Sequence, residues 1–190
     1  MKKTKVYTMM MILLLAAGWG VSCSSHDDDD SIVEIKSLIS RGDVDKNMYQ
    51  SLSAFFEAEL HHPYYKGNGE EFPGFFGELE WDAQPCYLIN SMEELRAAYK
   101  GKEQLPEVDF EHYTVLVGRT YRSDGAESLG EFNLIDEDDH YRMHLDIFRN
   151  INPNYFYTCD IGDLFYWDIF PKCESKPIII ERCVVEKIID

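Results

Sequence analysis

The spacing of apolar residues predicts a helix in the first third of the chain. Between Asn47 and Leu60 the apolar side chains recur at intervals of three and four residues, which places them on one face of a helix. Asn47 is expected to cap this helix, with Gln50 as its capping-box partner, and Pro63 lies just beyond its end. The apolar face consists of Met48, Leu52, Phe55, Phe56 and Leu60.

The remainder of the chain is rich in β-branched and aromatic residues and predicts strands. A short strand at Cys86–Ile89 precedes a second helix, which begins at the capping box Ser91-Met92-Glu93-Glu94 and stops at Gly101. Short connections, among them the polar turn at 172–176, favour antiparallel pairing. We therefore expect an α+β fold, with one or two N-terminal helices packed on an antiparallel sheet of about five strands. The longer strands are expected at Tyr113–Tyr121, Leu129–Ile135, Tyr141–Phe148, Leu164–Phe170 and Pro177–Ile188.

Two aromatic regions are candidates for ligand binding. The first is a glycine-rich stretch, 61–82, which has neither helical nor strand periodicity and predicts a long loop. Its side chains would offer rigid contact area to a sugar ring or a peptide, or else fill the core. The candidate binding residues there are Tyr64, Tyr65, Phe75, Phe76 and Trp81. The second region combines Tyr155, Phe156 and Tyr157 with a run at 165–170 that is apolar on both faces and predicts core packing.

The composition limits the classes of partner. The chain has 190 residues, a length that suits one globular domain, here expected at 31–190. It carries 35 acidic and 18 basic side chains, for a formal charge of −17. Nucleic acid binding requires clustered Lys and Arg, so a nucleic acid partner is not expected.

The N-terminus predicts secretion. Lys2, Lys3 and Lys5 precede an apolar core at 6–17, which is too short to span a bilayer comfortably and is typical of a signal peptide, expected at 1–22. The residues Gly20-Val21-Ser22-Cys23 resemble a bacterial lipobox, in which the cysteine is diacylated and becomes the new amino terminus. The alternative is an ordinary signal peptide, with Cys23 a free or disulfide-bonded thiol.

An acidic tether is expected at 23–30. The run of four aspartates at its end, Asp27, Asp28, Asp29 and Asp30, should stay extended and solvated. This arrangement resembles the export signal of Bacteroidota-type surface lipoproteins. The resemblance implies an outer-membrane protein that is anchored through acyl chains on Cys23 and faces the outside of the cell. The alternative is a lipoprotein that faces the periplasm.

A second resemblance covers about a fifth of the chain. Tyr87–Leu95, Val108-Asp109-Phe110 and Thr114–Gly118 form a strand, a capped helix and an Asp-Phe step into a hydrophobic strand. This order is similar to the C-terminal domain of the protease-complex subunit family and to lipoproteins of gut bacteria. It implies a protease-associated inhibitor or adaptor.

The cysteines outside the lipobox are even in number, and two disulfides are therefore feasible in an extracellular protein. If 172–176 is a hairpin turn, Cys173 lies too far from Cys183 for a disulfide, and Cys159 too far from Cys173. The pairs that are left are Cys86–Cys173 and Cys159–Cys183. The alternative is four free thiols that pack as small hydrophobic side chains.

No metal site, cofactor or catalytic residue is expected. His140 and His144 share the polar face of one strand, about 13 Å apart, which is too far for a shared zinc ion. The acidic turn 136–139 lacks the spacing of a calcium loop, and no nucleophile motif is present. The favoured function is a non-enzymatic binding domain for an extracellular peptide, protein or glycan. The alternatives are the protease-associated inhibitor or adaptor and a hydrolase.

Overall fold

A computed structural model describes residues 33–60, 75–76, 82–159 and 161–189 of the chain. Residues 32–190 form one compact unit. The described part contains three helices and seven strands. They are β1 (Val33–Ile35), α1 (Leu38–Arg41), α2 (Lys46–Glu59), β2 (Cys86–Ile89), α3 (Met92–Ala98), β3 (Tyr113–Arg122), β4 (Glu127–Asp136), β5 (Tyr141–Asn150), β6 (Gly162–Pro171) and β7 (Ile178–Lys187).

The strands form two sheets. Four strands pair in the order β1-β4-β5-β7, and three pair in the order β2-β3-β6. The predicted mixture of helices and strands is confirmed, but the prediction of a single sheet of about five strands is wrong. The strands that are consecutive in sequence, β3 and β4, enter different sheets, because β3 already pairs along its full length with β6.

The expected hairpin at 172–176 is also wrong. This segment leaves β6 in one sheet and enters β7 in the other, where β7 lies parallel to β5 with Tyr141 opposite Ile178. Hydrogen bonds to both sheets hold the crossing in place. The Cys173 amide donates to Thr114 Oγ1 at 2.8 Å on β3, and the Glu174 amide donates to the Tyr141 hydroxyl oxygen at 3.1 Å on β5.

The helices begin at side chains that cap their free amides. Asp45, rather than the expected Asn47, caps α2, and its Oδ1 accepts from the Asn47 and Met48 amides at 3.0 and 2.9 Å. Ser91 caps α3 as predicted, since its Oγ accepts from the Glu94 amide at 3.1 Å. Within the described segments, no helix has the length and apolar character needed to cross a bilayer.

The unit has three layers, the helices, the three-stranded sheet and the four-stranded sheet, with a core cluster between each layer and the next. The helices cover one face of the three-stranded sheet with a cluster that includes Leu52, Phe56, Leu95, Val115, Val117 and Ile169. The opposite face of that sheet contacts the four-stranded sheet through Leu116, Leu134, Met143, Leu145, Tyr166 and Phe170. Strands β3 and β6, in the middle layer, are thus buried on both faces, as the apolar run at 165–170 predicts.

A glycine allows the central layer to pack closely. A Cβ atom on Gly118 would lie 2.1 Å from the ring of Tyr166, which is itself fully buried between the sheets. No side chain fits at that position without displacing the ring.

Candidate functional site

The predicted aromatic loop contributes to the core where the structure describes it. Phe75 and Phe76 are only 7% and 8% exposed. The Phe76 ring stacks on Tyr87 at 5.5 Å and on Phe165 at 6.3 Å between ring centroids. Of the two roles expected for these side chains, ligand binding or core packing, Phe75 and Phe76 have the second, because both lie in the cluster beneath the helices. Tyr64, Tyr65 and Trp81 lie outside the described residues, as do Cys23 and the aspartates at 27–30.

The second aromatic region contains the two most exposed aromatic rings among the described residues, Phe156 and Tyr155. The chain leaves β5 into the segment 151–159, where Phe156 is 101% exposed and Tyr155 is 52% exposed. Tyr157 stacks on Tyr155 with ring centroids 6.3 Å apart. In contrast, Phe165, Tyr166 and Trp167 pack within the two core clusters, as their apolar run predicts.

Asparagine side chains fix the backbone of this segment. Asn150 Oδ1 accepts from the amides of Asn152 and Ile189 at 3.0 and 3.1 Å, and Asn152 Oδ1 accepts from the Asn154 amide at 3.0 Å. The buried Asn152 side chain also donates to the Ile189 carbonyl at 3.3 Å. At the far end, the Gly125 amide donates to the Thr158 carbonyl at 2.8 Å. The exposed rings are thus carried on an anchored segment.

The same anchors bring the C-terminal residues beside the start of the aromatic segment, at residues 150–152. The Ile151 amide donates to the Lys187 carbonyl at 2.9 Å, so the residues that follow β5 and β7 lie side by side. Exposed apolar side chains from both segments form what we call the apolar patch. It consists of Ile151, Tyr155, Phe156, Tyr157, Ile188 and Ile189. Clustered exposed apolar side chains of this kind mark interaction surfaces.

The four described cysteines are free thiols, which is the second of the two alternatives, in place of the disulfides Cys86–Cys173 and Cys159–Cys183. Cys86 is opposite Gly118 in the sheet, whereas the Cys173 amide bonds to Thr114 four residues away along β3, a separation of about 13 Å. A disulfide between Cys86 and Cys173 therefore does not fit. Burial raises the pKa of the Cys86 thiol to about 12 and that of Cys173 to about 11. Cys159 and Cys183 are exposed.

Polar side chains meet on the outer face of the β5–β7 pair. The parallel register sets Glu181 beside His144 and Cys183 beside Asp146. A ring nitrogen of His144, a carboxylate oxygen of Asp146 and the Cys183 sulfur lie within 4.8 Å of one another. This group was not predicted from the sequence, because Cys183 is 37 residues beyond Asp146 and only the parallel pairing brings them together.

The acidic turn between β4 and β5 is neutralised by cationic side chains. Lys176 Nζ lies 2.6 Å from Asp136 Oδ1, and Arg142 Nε lies 2.7 Å from Glu137 Oε1. His140 contacts both Glu137 and Asp139, and its hydrogen bond holds the pKa of Asp139 below its ordinary value. These contacts give the turn a structural role, because Lys176 links it to the 172–176 segment that crosses between the sheets.

The described grooves contain no recognisable catalytic group. One of them, about 560 Å³, lies between α2 and the segment 104–107. Ser51 is the one hydroxyl side chain among its described lining residues, and no histidine or cysteine lies beside it.

Comparison with known proteins gives no match: no family model, curated protein or solved structure is similar to this chain.

Proposed function

We propose that this chain is a cell-surface lipoprotein, held in the outer membrane by acyl chains on Cys23, whose folded unit binds an extracellular peptide or protein. The observation that carries the binding function is the apolar patch. Its rings are exposed to solvent, whereas aromatic residues such as Phe56, Tyr141 and Tyr166 are buried in the two core clusters. The leader, the lipobox and the aspartates at 27–30 support the location.

The side chains of the apolar patch favour a peptide or protein over a glycan. Half of them are isoleucines, which contribute contact area but no hydrogen bond. A sugar ring needs polar partners around the aromatic face, whereas the centre of a protein interface is apolar and rich in aromatic residues. Because the segment 151–159 is already anchored, binding would cost little ordering entropy.

The charge of the chain adds a preference. A formal charge of −17 produces a negative field that speeds association with basic partners and slows it with acidic ones. We therefore expect the ligand to combine apolar or aromatic side chains with lysine or arginine.

Binding to immobilised peptides tests the proposal. The purified chain is applied to an array of peptides that pair aromatic residues with lysine or arginine, and in parallel to a glycan array. Phe156→Ala should lower the affinity for the peptides it binds by about 30-fold, the cost of truncating a central interface side chain. Ile179→Ala is the control, because Ile179 is also an exposed apolar side chain, at 52%, but lies at the other end of β7.

The two parts of the proposal can fail separately. Peptide binding that Phe156→Ala leaves unchanged would refute the role of the apolar patch, and selective glycan binding would overturn the ligand class. The anchor is tested by mass spectrometry of the amino terminus, which should be a diacylated Cys23. An unmodified Cys23 thiol, with the protein free in the medium, would refute the membrane attachment and leave the binding result unaffected.

A further inference from the structure

We propose that His144, Asp146 and Cys183 form a zinc site on the outer face of the four-stranded sheet. The three side chains belong to adjacent parallel strands, β5 and β7, and their register fixes which of them are neighbours. They offer a nitrogen, an oxygen and a sulfur within 4.8 Å of one another. These are the three donor types that zinc binds in proteins.

The distances suit a tetrahedral ion after small side-chain rotations. With zinc bonds of about 2.0–2.3 Å, neighbouring donor atoms are about 3.3–3.7 Å apart. His144 Nε2 already lies 3.1 Å from Asp146 Oδ1. The thiol of Cys183 is exposed and can rotate towards this pair, losing its proton to solvent as the zinc–sulfur bond forms.

A second carboxylate orients the histidine. The other ring nitrogen of His144, Nδ1, faces Glu181 Oε2 at 3.6 Å. A hydrogen bond from Nδ1–H to this carboxylate would leave Nε2 without a proton and directed at the metal. A carboxylate is a usual outer partner of a zinc-bound histidine. Glu181 is therefore a positioning residue and not a ligand.

The charge balance also favours a divalent cation. Asp146 and the Cys183 thiolate would neutralise Zn²⁺, with a neutral His144 as the third ligand. The cation beside this group, Arg142, is held by Glu137 at 2.7 Å and by Glu181 at 3.5 Å. Three protein ligands leave one position open, and water would occupy it.

A second group of three side chains serves as a comparison. Asp109, Glu111 and His112 are all exposed and lie on one turn before β3. His112 Nδ1 is already bonded to Asp109 Oδ2 at 2.8 Å, and the group has no thiol. We assign the zinc site to β5 and β7 because two strands and an orienting carboxylate fix its geometry.

Cobalt titration of the purified chain under reducing conditions tests the thiolate ligand. Co²⁺ bound at this site should produce a thiolate-to-cobalt charge-transfer band that Zn²⁺ displaces. Cys183→Ser should abolish the band, whereas Cys159→Ser, which changes the other described exposed thiol, should retain it. A charge-transfer band that persists in Cys183→Ser would overturn the proposal. The absence of any such band in the unsubstituted protein would also overturn it.

Zinc affinity, measured by calorimetry, tests the remaining residues. His144→Gln should weaken binding by more than about 100-fold, and Glu181→Gln by about 10- to 100-fold, the usual cost of losing an outer partner. His112→Gln should leave the affinity unchanged. If His112→Gln abolishes binding while His144→Gln does not, zinc binds at the turn before β3 and the assignment is wrong. Since the substituted side chains are partly exposed, circular dichroism should show folded variants.

Discussion

Arg182 of β7 contacts the end of β3 and the first residue of β4, and its removal should destabilise the chain. Its Nη2 lies 3.2 Å from Glu127 Oε2, and the Glu127 side chain is only 3% exposed. The guanidinium also packs over the ring of Tyr121 at 5.0 Å from the centroid. Arg182→Met keeps much of the side-chain volume but leaves a carboxylate buried without its cationic partner.

The expected loss in the free energy of unfolding is about 3 kcal/mol. Breaking a buried ion pair by removing one partner costs about 3–5 kcal/mol, because the other charge stays desolvated. The lower end applies here, since Ser123 still donates to Glu127 through its amide at 2.7 Å and its hydroxyl at 2.8 Å. With a urea dependence of about 2 kcal/mol per M, the midpoint of unfolding should fall by about 1.5 M.

Urea unfolding followed by circular dichroism measures this loss. Arg149→Met is the matched control, because its partner is Asp124 and the Arg149 side chain is 44% exposed, so its removal should cost less than about 1 kcal/mol. The double variant Arg182→Met with Glu127→Gln should recover much of the lost stability, because it also removes the buried, unpaired charge of Glu127. Equal shifts for Arg182→Met and Arg149→Met, or no recovery in the double variant, would refute the reasoning.

Two further predictions concern buried titratable groups. Burial raises the pKa of Asp168 above its ordinary 3.8. Just above that pH the folded chain therefore binds more protons than the unfolded chain, and the free energy of unfolding falls as the pH rises through the folded pKa. Asp168→Asn should remove this fall, and its urea midpoint should exceed that of the parent by a margin that grows as the pH rises above 3.8 through the folded pKa. A constant difference would contradict the assignment. Iodoacetamide at pH 8 should label the exposed Cys159 and Cys183 rapidly. It should not label Cys86 or Cys173, because burial raises the pKa of both thiols. Equal labelling rates for all four cysteines in peptide mapping would contradict this prediction.

The sequence predicts where the helices and strands lie better than it predicts which strands pair with one another. Alternation along β5 correctly separates the buried Tyr141, Met143, Leu145 and Ile147 from the polar residues between them. The capping box at Ser91 correctly marks the start of α3. Both signals are local, since a hydrogen bond to the first turn or a two-residue period depends on a few adjacent residues.

Strand partners could not be predicted in the same way. Alternation specifies which face of a strand is buried but not which strand lies beside it, and the short connection at 172–176 favours a hairpin. One signal points to the correct arrangement: the run at 165–170 is apolar on both faces, which requires a layer on each side of β6. A strand that is buried on both faces is incompatible with helices packed on one face of a single sheet, because that arrangement has only two layers. The cluster of His144, Asp146 and Cys183 was missed for the same reason, because it depends on the β5–β7 register.

The parallel pairing of β5 and β7 connects both proposed sites. Two parallel strands end at the same edge of a sheet, so Ile151 and Ile188 emerge together and build the apolar patch. Side chains on the outer face of the same pair provide the zinc ligands, and Arg182, between Glu181 and Cys183, holds β7 against Glu127 from the inner side. Arg182→Met should therefore weaken zinc binding and peptide binding together, because it loosens the strand that both require. Cys183→Ser should abolish the metal site and leave the apolar patch intact, since Ile188 lies about 16 Å further along the chain.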